Sequence, residues 1–183
     1  VDPETGILYV ASIRSCGAFS LMPGVEQTNP GFQLTGKTVS EYVSGGRGPG
    51  RIRGLPLLKP PYGRITAIDL NTGDHLWWIP NGDAPDYIAK HPDLKGLEIP
   101  NPGQGTHATK LVTKTLLMYG EGRGAPGRFH AHDKKTGERI GTVDIPSSTN
   151  TAPMTYMHDG KQYVVLSIGG RTHEGSHVAL ALP

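Results

Sequence analysis

The sequence predicts an all-β fold of short antiparallel sheets stacked radially, and three observations predict it. The first is punctuation. The 183 residues include 26 Gly and 16 Pro, a share at which disorder would ordinarily be considered. Here they separate short apolar, β-prone runs, as in a chain of many turns. The second is pairing: the runs come two by two around turns that supply a Gly, the signature of hairpins. The third is a repeat. Ala67-Ile68-Asp69-Leu70-Asn71-Thr72-Gly73 and Ala131-His132-Asp133-Lys134-Lys135-Thr136-Gly137 both read Ala-x-Asp-x-x-Thr-Gly, and self-similarity at fixed spacing marks a repeat architecture.

Strands are expected in order at 7–11, 65–70, 75–79, 111–112, 116–119, 129–132, 139–143, 155–157, 162–168 and 177–182. No long amphipathic helix is expected. Residues 85–97 have room for one or two helical turns, interrupted at His91-Pro92, because the residue before a proline is pushed out of the helical region. The stretch 27–61 reads as loop, with Gly45, Gly46, Gly48, Gly50 and Gly54 among the glycines within it. A loop that long in a compact domain is usually functional or packed on a partner surface.

The repeated turn has a physical logic. An Asp carboxylate can bond backbone amides, Thr adds a hydroxyl and Gly takes the positive φ. The first copy continues to Trp77, which can pack between neighbouring sheets, whereas the second carries Gly141 at that place. Asp2-Pro3-Glu4-Thr5-Gly6 is a weaker echo. Four-stranded units stacked in this way form a propeller. The units fall at about 1–80, 105–146 and 151–183. The third shows only three strands, so its closing strand is expected from elsewhere, upstream of Val1. The chain opens without a Met, and its start is expected to fall inside a structural unit.

Composition excludes several classes. The formal net charge is +2, and the one local basic excess is Arg47, Arg51 and Arg53, with Arg64 further on. No basic stripe with interleaved aromatics appears, so nucleic acid is not an expected partner. No run is long and apolar enough to span a membrane. Cys16 is the sole cysteine, so no internal disulfide can form.

The repeat with its Trp resembles the tryptophan-docking motif of the quinoprotein dehydrogenases, and further stretches narrow the likeness. Gly54-Leu55-Pro56, then Pro60-Pro61-Tyr62-Gly63-Arg64-Ile65-Thr66-Ala67-Ile68-Asp69, resembles a late-blade segment of the glucose-dehydrogenase-like branch. Ala152-Pro153-Met154-Thr155-Tyr156 with Asp159-Gly160-Lys161-Gln162-Tyr163-Val164-Val165 is similar to its last blade, as are Ser167-Ile168-Gly169-Gly170 and residues 178–183 to its terminal strands. The resemblance implies the last three blades of an eight-bladed β-propeller. It also implies a periplasmic enzyme with pyrroloquinoline quinone (PQQ) and calcium on the axis, which oxidises an alcohol or sugar hydroxyl by hydride transfer to the quinone. The expected partners are the remaining blades, that substrate, and a quinone or cytochrome as electron acceptor. The catalytic carboxylate and the calcium ligands would lie upstream, so no catalytic or metal residue is assigned here.

The resemblance places Thr106-His107-Ala108 at the innermost strand of the penultimate blade, beside the quinone, and makes Gly105, Thr106 and His107 candidate cofactor contacts. There the family carries small glycines after a Trp or Leu, and this chain departs from that pattern. Lys59 and Arg64 border a loop that resembles the cofactor-facing end of a blade, against the reading of a plain structural loop; Lys59 and Tyr62, the latter where the family has Trp, are the candidate cofactor contacts there. The alternative is a cofactor-free propeller acting as an interaction scaffold. The last-blade likeness argues against it, since scaffold propellers share mainly the Trp turn. A hydrolase lacks any nucleophile–base motif. His130 and His132, two apart on a strand, share a face and read as a surface or inter-blade pair; His173 and His177 flank Glu174 in a solvated loop. Gly120-Glu121-Gly122-Arg123-Gly124 reads as a turn, since no helix follows it as a phosphate loop would require.

Overall fold

The computed structural model describes residues 1–17, 20–23, 42–45, 50–121, 127–149, 151–170 and 173–181. Arg47 and Gly122-Arg123-Gly124 lie outside the described residues, as do Leu182 and Pro183. Two compact units divide the chain. One comprises 1–14 with 60–183, and the other is Ser15–Lys59.

The strands in chain order are β1 (Ile7–Ile13), β2 (Ser20–Pro23), β3 (Tyr42–Gly45), β4 (Arg51–Ile52), β5 (Leu55–Pro56), β6 (Gly63–Asp69), β7 (His75–Pro80), β8 (Lys110–Val112), β9 (Leu116–Gly120), β10 (Gly127–Asp133), β11 (Arg139–Ile145), β12 (Met154–His158), β13 (Lys161–Gly170) and β14 (His173–Ala181). The larger unit holds three antiparallel sheets, ordered β1-β6-β7, β8-β9-β10-β11 and β12-β13-β14. The smaller unit holds the hairpins β2-β3 and β4-β5; β3, β4 and β5 fall inside the stretch read from sequence as loop, and β2 lies before it. The second hairpin turns through Arg53 and Gly54, both at positive φ (51° and 87°). Two such residues in succession make the tight turn whose twist suits a hairpin. The helical content between β7 and β8 is one turn, α1 (Asp86–Ala89), and a 3₁₀ turn at Pro92–Leu94. His91-Pro92 separates them, as the proline requires.

Alternation along each strand builds two cores. In β9, Leu117 and Tyr119 face the first sheet, where they join Tyr9, Ile65, Ala67 and Ala108, with Trp77 and Ile79 packed against them. Met118 points the other way and joins Phe129, Ile145, Leu166 and Ile168 between the second and third sheets. The middle sheet is therefore apolar on both faces, as sheets stacked face to face require.

The repeat holds atom by atom. Asp69 and Asp133 donate their N–H to the carbonyls of Asp74 (2.9 Å) and Glu138 (2.8 Å), and accept from the N–H of Gly73 (2.7 Å) and Gly137 (2.9 Å). Their carboxylates accept from the N–H of Asn71 and of Lys135, both at 2.8 Å. In both copies the pairing register slips just before the turn, at Ala67/Ile68 and at Ala131/His132. Asp2-Pro3-Glu4-Thr5-Gly6 has the same geometry, with Asp2 N–H to Ile7 carbonyl at 2.8 Å and Gly6 N–H to Asp2 carbonyl at 2.9 Å. The weak echo is thus a full copy, placed before β1 rather than between paired neighbours. Gly6, Gly73 and Gly137 have φ of 70°, 81° and 77°, which explains the Gly in every copy.

Trp77 packs between sheets as expected. Its ring lies 5.7 Å from that of Tyr9 and against Gly137 of the next sheet's turn. At Gly141, where the second copy lacks the Trp, a Cβ would meet nothing within 4 Å.

Candidate functional site

The ends of the strands opposite the repeated turns carry a cleft and, beside it, a cluster of hydrogen-bonded polar residues. At the C-terminal end of β1 and the start of β6 lies a cleft of about 380 Å³ lined by Ser12, Ile13, Arg14, Pro61 and Arg64. Its floor is tied by backbone bonds. Arg14 N–H donates to Tyr62 carbonyl (2.8 Å), and Tyr62 N–H to Pro102 carbonyl (2.7 Å). Tyr62 is almost fully buried, and burial pushes its hydroxyl pKa up, with Tyr87 adding to the rise. Gly105 stands beside the cleft: a Cβ there would lie 3.8 Å from Ile13 Cγ2 and 3.9 Å from Tyr62 Cβ.

The structure thus brings Tyr62 and Gly105 together, from positions 43 residues apart in the chain. Thr106 follows, half-buried, and His107 is exposed. Gly105 and Thr106 form a bend ahead of β8, which begins only at Lys110, so the strand expected at 106–108 starts later. Its place is taken by side-chain clasping, since Asn81 Nδ2 donates to the carbonyls of Gln104 (3.1 Å) and Thr106 (2.8 Å). Lys59, the last residue of the smaller unit, is exposed.

Beyond Asn81 the turn is pinned to the second sheet. Gly82 N–H donates to the Tyr119 hydroxyl (3.1 Å), and Asp83 N–H to Glu121 Oε1 (3.3 Å). The Asp83 carboxylate receives Arg128 Nη1 at 2.6 Å and Arg139 Nη1 at 2.7 Å. Burial pushes the Asp83 carboxyl up, but Arg139, with His130 and Arg128, outweighs it and holds it below its ordinary value. Glu121 Oε1 also meets His130 Nε2 at 3.0 Å, and His130 Nδ1 lies 2.9 Å from Thr142 Oγ1. Burial would raise the Glu121 carboxyl, yet bonds from His130 and the Asp83 amide prevail and lower it.

His130 and His132 are buried on the face toward the first sheet, both packed on the Tyr119 ring at 5.2 and 5.4 Å. They are the inter-blade pair foreseen as one of two options. His132 Nδ1 donates to Gly137 carbonyl (2.9 Å), and burial lowers its pKa and keeps it neutral. His173 and His177 lie on β14 and meet Ser176 and Ser167 hydroxyls at 3.2 Å. Among the described residues no three His, Cys, Asp or Glu side chains come together as ligands, so no calcium ligand is assigned to them. No described helix is long and apolar enough to cross a membrane.

Stacked antiparallel sheets, the repeated Asp-x-x-Thr-Gly turn and Trp77 lodged on the next turn define a β-propeller of the quinoprotein class. The family model of the PQQ glucose/ethanol/alcohol dehydrogenase β-propeller domain matches residues 1–164, and the chain belongs to that family. It is 34% identical over 120 residues to a probable quinate dehydrogenase (quinone) of Xanthomonas campestris pv. juglandis, covering 64% of this chain and 15% of that protein. It is 30% identical over 135 residues to quinoprotein glucose dehydrogenase A of Acinetobacter calcoaceticus, covering 71% and 16%. A quinohemoprotein alcohol dehydrogenase of Comamonas testosteroni shares the fold, with a TM-score of 0.50 at 23% identity over 92% of this chain and 21% of that one. The chain therefore spans about a sixth of the length of the curated relatives it matches.

Proposed function

We propose that this chain forms one wall of the quinone site in a PQQ-dependent dehydrogenase that oxidises an alcohol or sugar hydroxyl. The observation that carries the reading is the meeting of Tyr62 and Gly105 at a cleft bearing Ser12, Arg14 and Arg64. PQQ is a tricarboxylate, and a cleft with two guanidinium groups and a hydroxyl suits an anion of that kind. Its volume falls in the range of small-molecule sites. The quinone, when bound, supplies the hydride acceptor. On this reading Tyr62, Gly105, Thr106 and His107 border it, and Arg14 and Arg64 neutralise its carboxylates. His107 is the one imidazole exposed on that segment.

The catalytic carboxylate and the calcium ion belong, on this reading, to blades outside the chain. So do the two apolar faces that would cover this one. Leu76 and Trp78 are about half exposed on one outer sheet, and Met154 and Tyr156 are similarly open on the other. The remainder of an eight-bladed ring would bury them, this chain supplying its last three blades. A periplasmic location and a quinone or cytochrome acceptor follow from the same family.

The test is an assay of the full-length protein against a panel of alcohols and sugars with an artificial electron acceptor, with and without added PQQ and calcium. Quinone-dependent turnover that falls in His107→Gly without loss of folding supports the assignment. A folded protein that neither takes up quinone nor turns over is the interaction scaffold instead.

A further inference from the structure

We infer that Asn81 is a positioning residue that sets the placement of the Gly105-Thr106-His107 segment at the cleft, and through it the affinity for the quinone. This deepens the site reading above and rests on it. Asn81 is 1% exposed and stands just past β7, where three of its groups make four hydrogen bonds, to Gly63, Gln104 and Thr106. Its N–H donates to Gly63 carbonyl (3.0 Å), and its carbonyl accepts from Gln104 N–H (2.7 Å). Its Nδ2 spans the carbonyls of Gln104 and Thr106. The amide thus does for residues 104–106 what a neighbouring strand would do, in a segment without strand pairing.

The approach is close on every side. A Cβ on Gly63 would overlap the Gln104 carbonyl, and one on Gly103, at φ +65°, would overlap the Gly63 carbonyl. Only glycine fits at either place. The far side of the turn is held separately, by Tyr119 on Gly82 and Glu121 on Asp83. Loss of the Asn81 amide therefore frees the 104–106 segment while the turn stays docked on the second sheet. Asn81 Oδ1 and Thr106 Oγ1 are buried without a hydrogen-bond partner in the protein. Buried polar atoms of that kind call for an explanation, and here both sit at the junction with the cofactor-side segment.

The experiment uses the full-length protein with Asn81→Leu and Asn81→Asp. The aspartate sets a carboxylate against two carbonyls, and the leucine removes the bonds without charge. Three quantities are read: the PQQ dissociation constant by titration of apoprotein, the apoprotein melting temperature, and hydrogen exchange across residues 102–107. The expected result is a dissociation constant raised tenfold or more with faster exchange confined to 102–107. Tyr119→Phe, which loosens the same turn from its other side, should lower melting and leave quinone affinity unchanged. Asn81 variants that melt lower but bind PQQ with the native constant overturn the inference and leave Asn81 a structural clasp. A native protein that takes up no PQQ overturns the site reading, and the inference with it.

Discussion

The indole of Trp77 sits so tightly on Gly137 that a Cβ at position 137 would come within 2.9 Å of indole Cε3 and 3.0 Å of Ile79 Cγ2. One sheet thereby docks on the turn of the next, and the glycine is needed for two reasons: its φ of 77° and the indole above it. Gly73 occupies the same turn in the preceding copy, at φ 81°, with nothing within 4 Å of its Cβ position. The two glycines separate the effects. Gly73→Ala should cost roughly 1–2 kcal/mol from backbone strain. Gly137→Ala should add about 1–3 kcal/mol of overpacking, and Trp77→Ala should cost roughly 3–5 kcal/mol. Denaturant midpoints for the three variants check this; equal costs for the two glycine variants would contradict it.

Asp2 and Lys134 join the same two sheets by a buried ion pair, Nζ to Oδ2 at 2.6 Å, each side chain about 4% exposed. Tyr9 adds its hydroxyl to the Lys134 carbonyl at 3.0 Å. The Lys134 ammonium and the Thr5 hydroxyl, aided by Glu4 N–H, hold the Asp2 carboxyl down to about 2 from an ordinary 3.8, against the upward push of burial. A depressed carboxyl stabilises the fold fully above the unfolded value and loses that contribution as pH falls through the folded one. The melting gap between native protein and Asp2→Asn should therefore be widest near neutral pH and close between about pH 4 and 2. A gap that ignores pH would show that the pair adds nothing. Lys134→Ala should be the worse single change, since it strands a buried carboxylate.

Glu121 is the hub beneath the Asn81-Gly82-Asp83 turn. Glu121→Ala leaves His130 Nε2 and Asp83 N–H without their buried acceptor, at a cost of about 1–3 kcal/mol. Glu121→Gln keeps an acceptor for the amide and should recover part of that loss. Chemical denaturation of both variants measures it. An alanine variant as stable as the native protein would mean that solvent already satisfies these groups.

Much of the fold was legible because its signals are local. Asp-x-x-Thr-Gly carries its own hydrogen bonds within six residues, so its copies were visible without any tertiary information, although the third at Asp2 looked weak for want of an Ala before it and a Trp after it. The alternation of His130 and His132 gave a shared face but could not say what covers it, since Tyr119 and Glu121 arrive from another strand. The Asp2–Lys134 pair spans 132 residues and has no sequence signature. Asn81-Gly82 reads as an ordinary turn dipeptide; its clasp on 104–106 appears only when the chain returns. The strand expected at 106–108 failed for the same reason, because Asn81 takes the Gln104 and Thr106 carbonyls in place of a ladder.

Residues 1–183 expressed alone should not behave as a finished domain. Trp78 and Leu76 on one outer face, and Met154, Met157 and Tyr156 on the other, present apolar surface that invites association. The expected outcome in sedimentation and calorimetry is self-association with a broad transition. A monomer melting cooperatively would contradict the multi-blade account.

The central claim, that this chain helps enclose a quinone, is tested most directly by what the purified full-length protein carries. The protein is first saturated with PQQ and calcium and freed of unbound quinone by gel filtration. It is then unfolded, and the quinone released is counted from its absorption spectrum. About one PQQ per polypeptide is the predicted result, falling sharply when Arg14 and Arg64 are both replaced by Ala in a protein that still melts cooperatively. A folded native protein that releases no quinone would contradict the account.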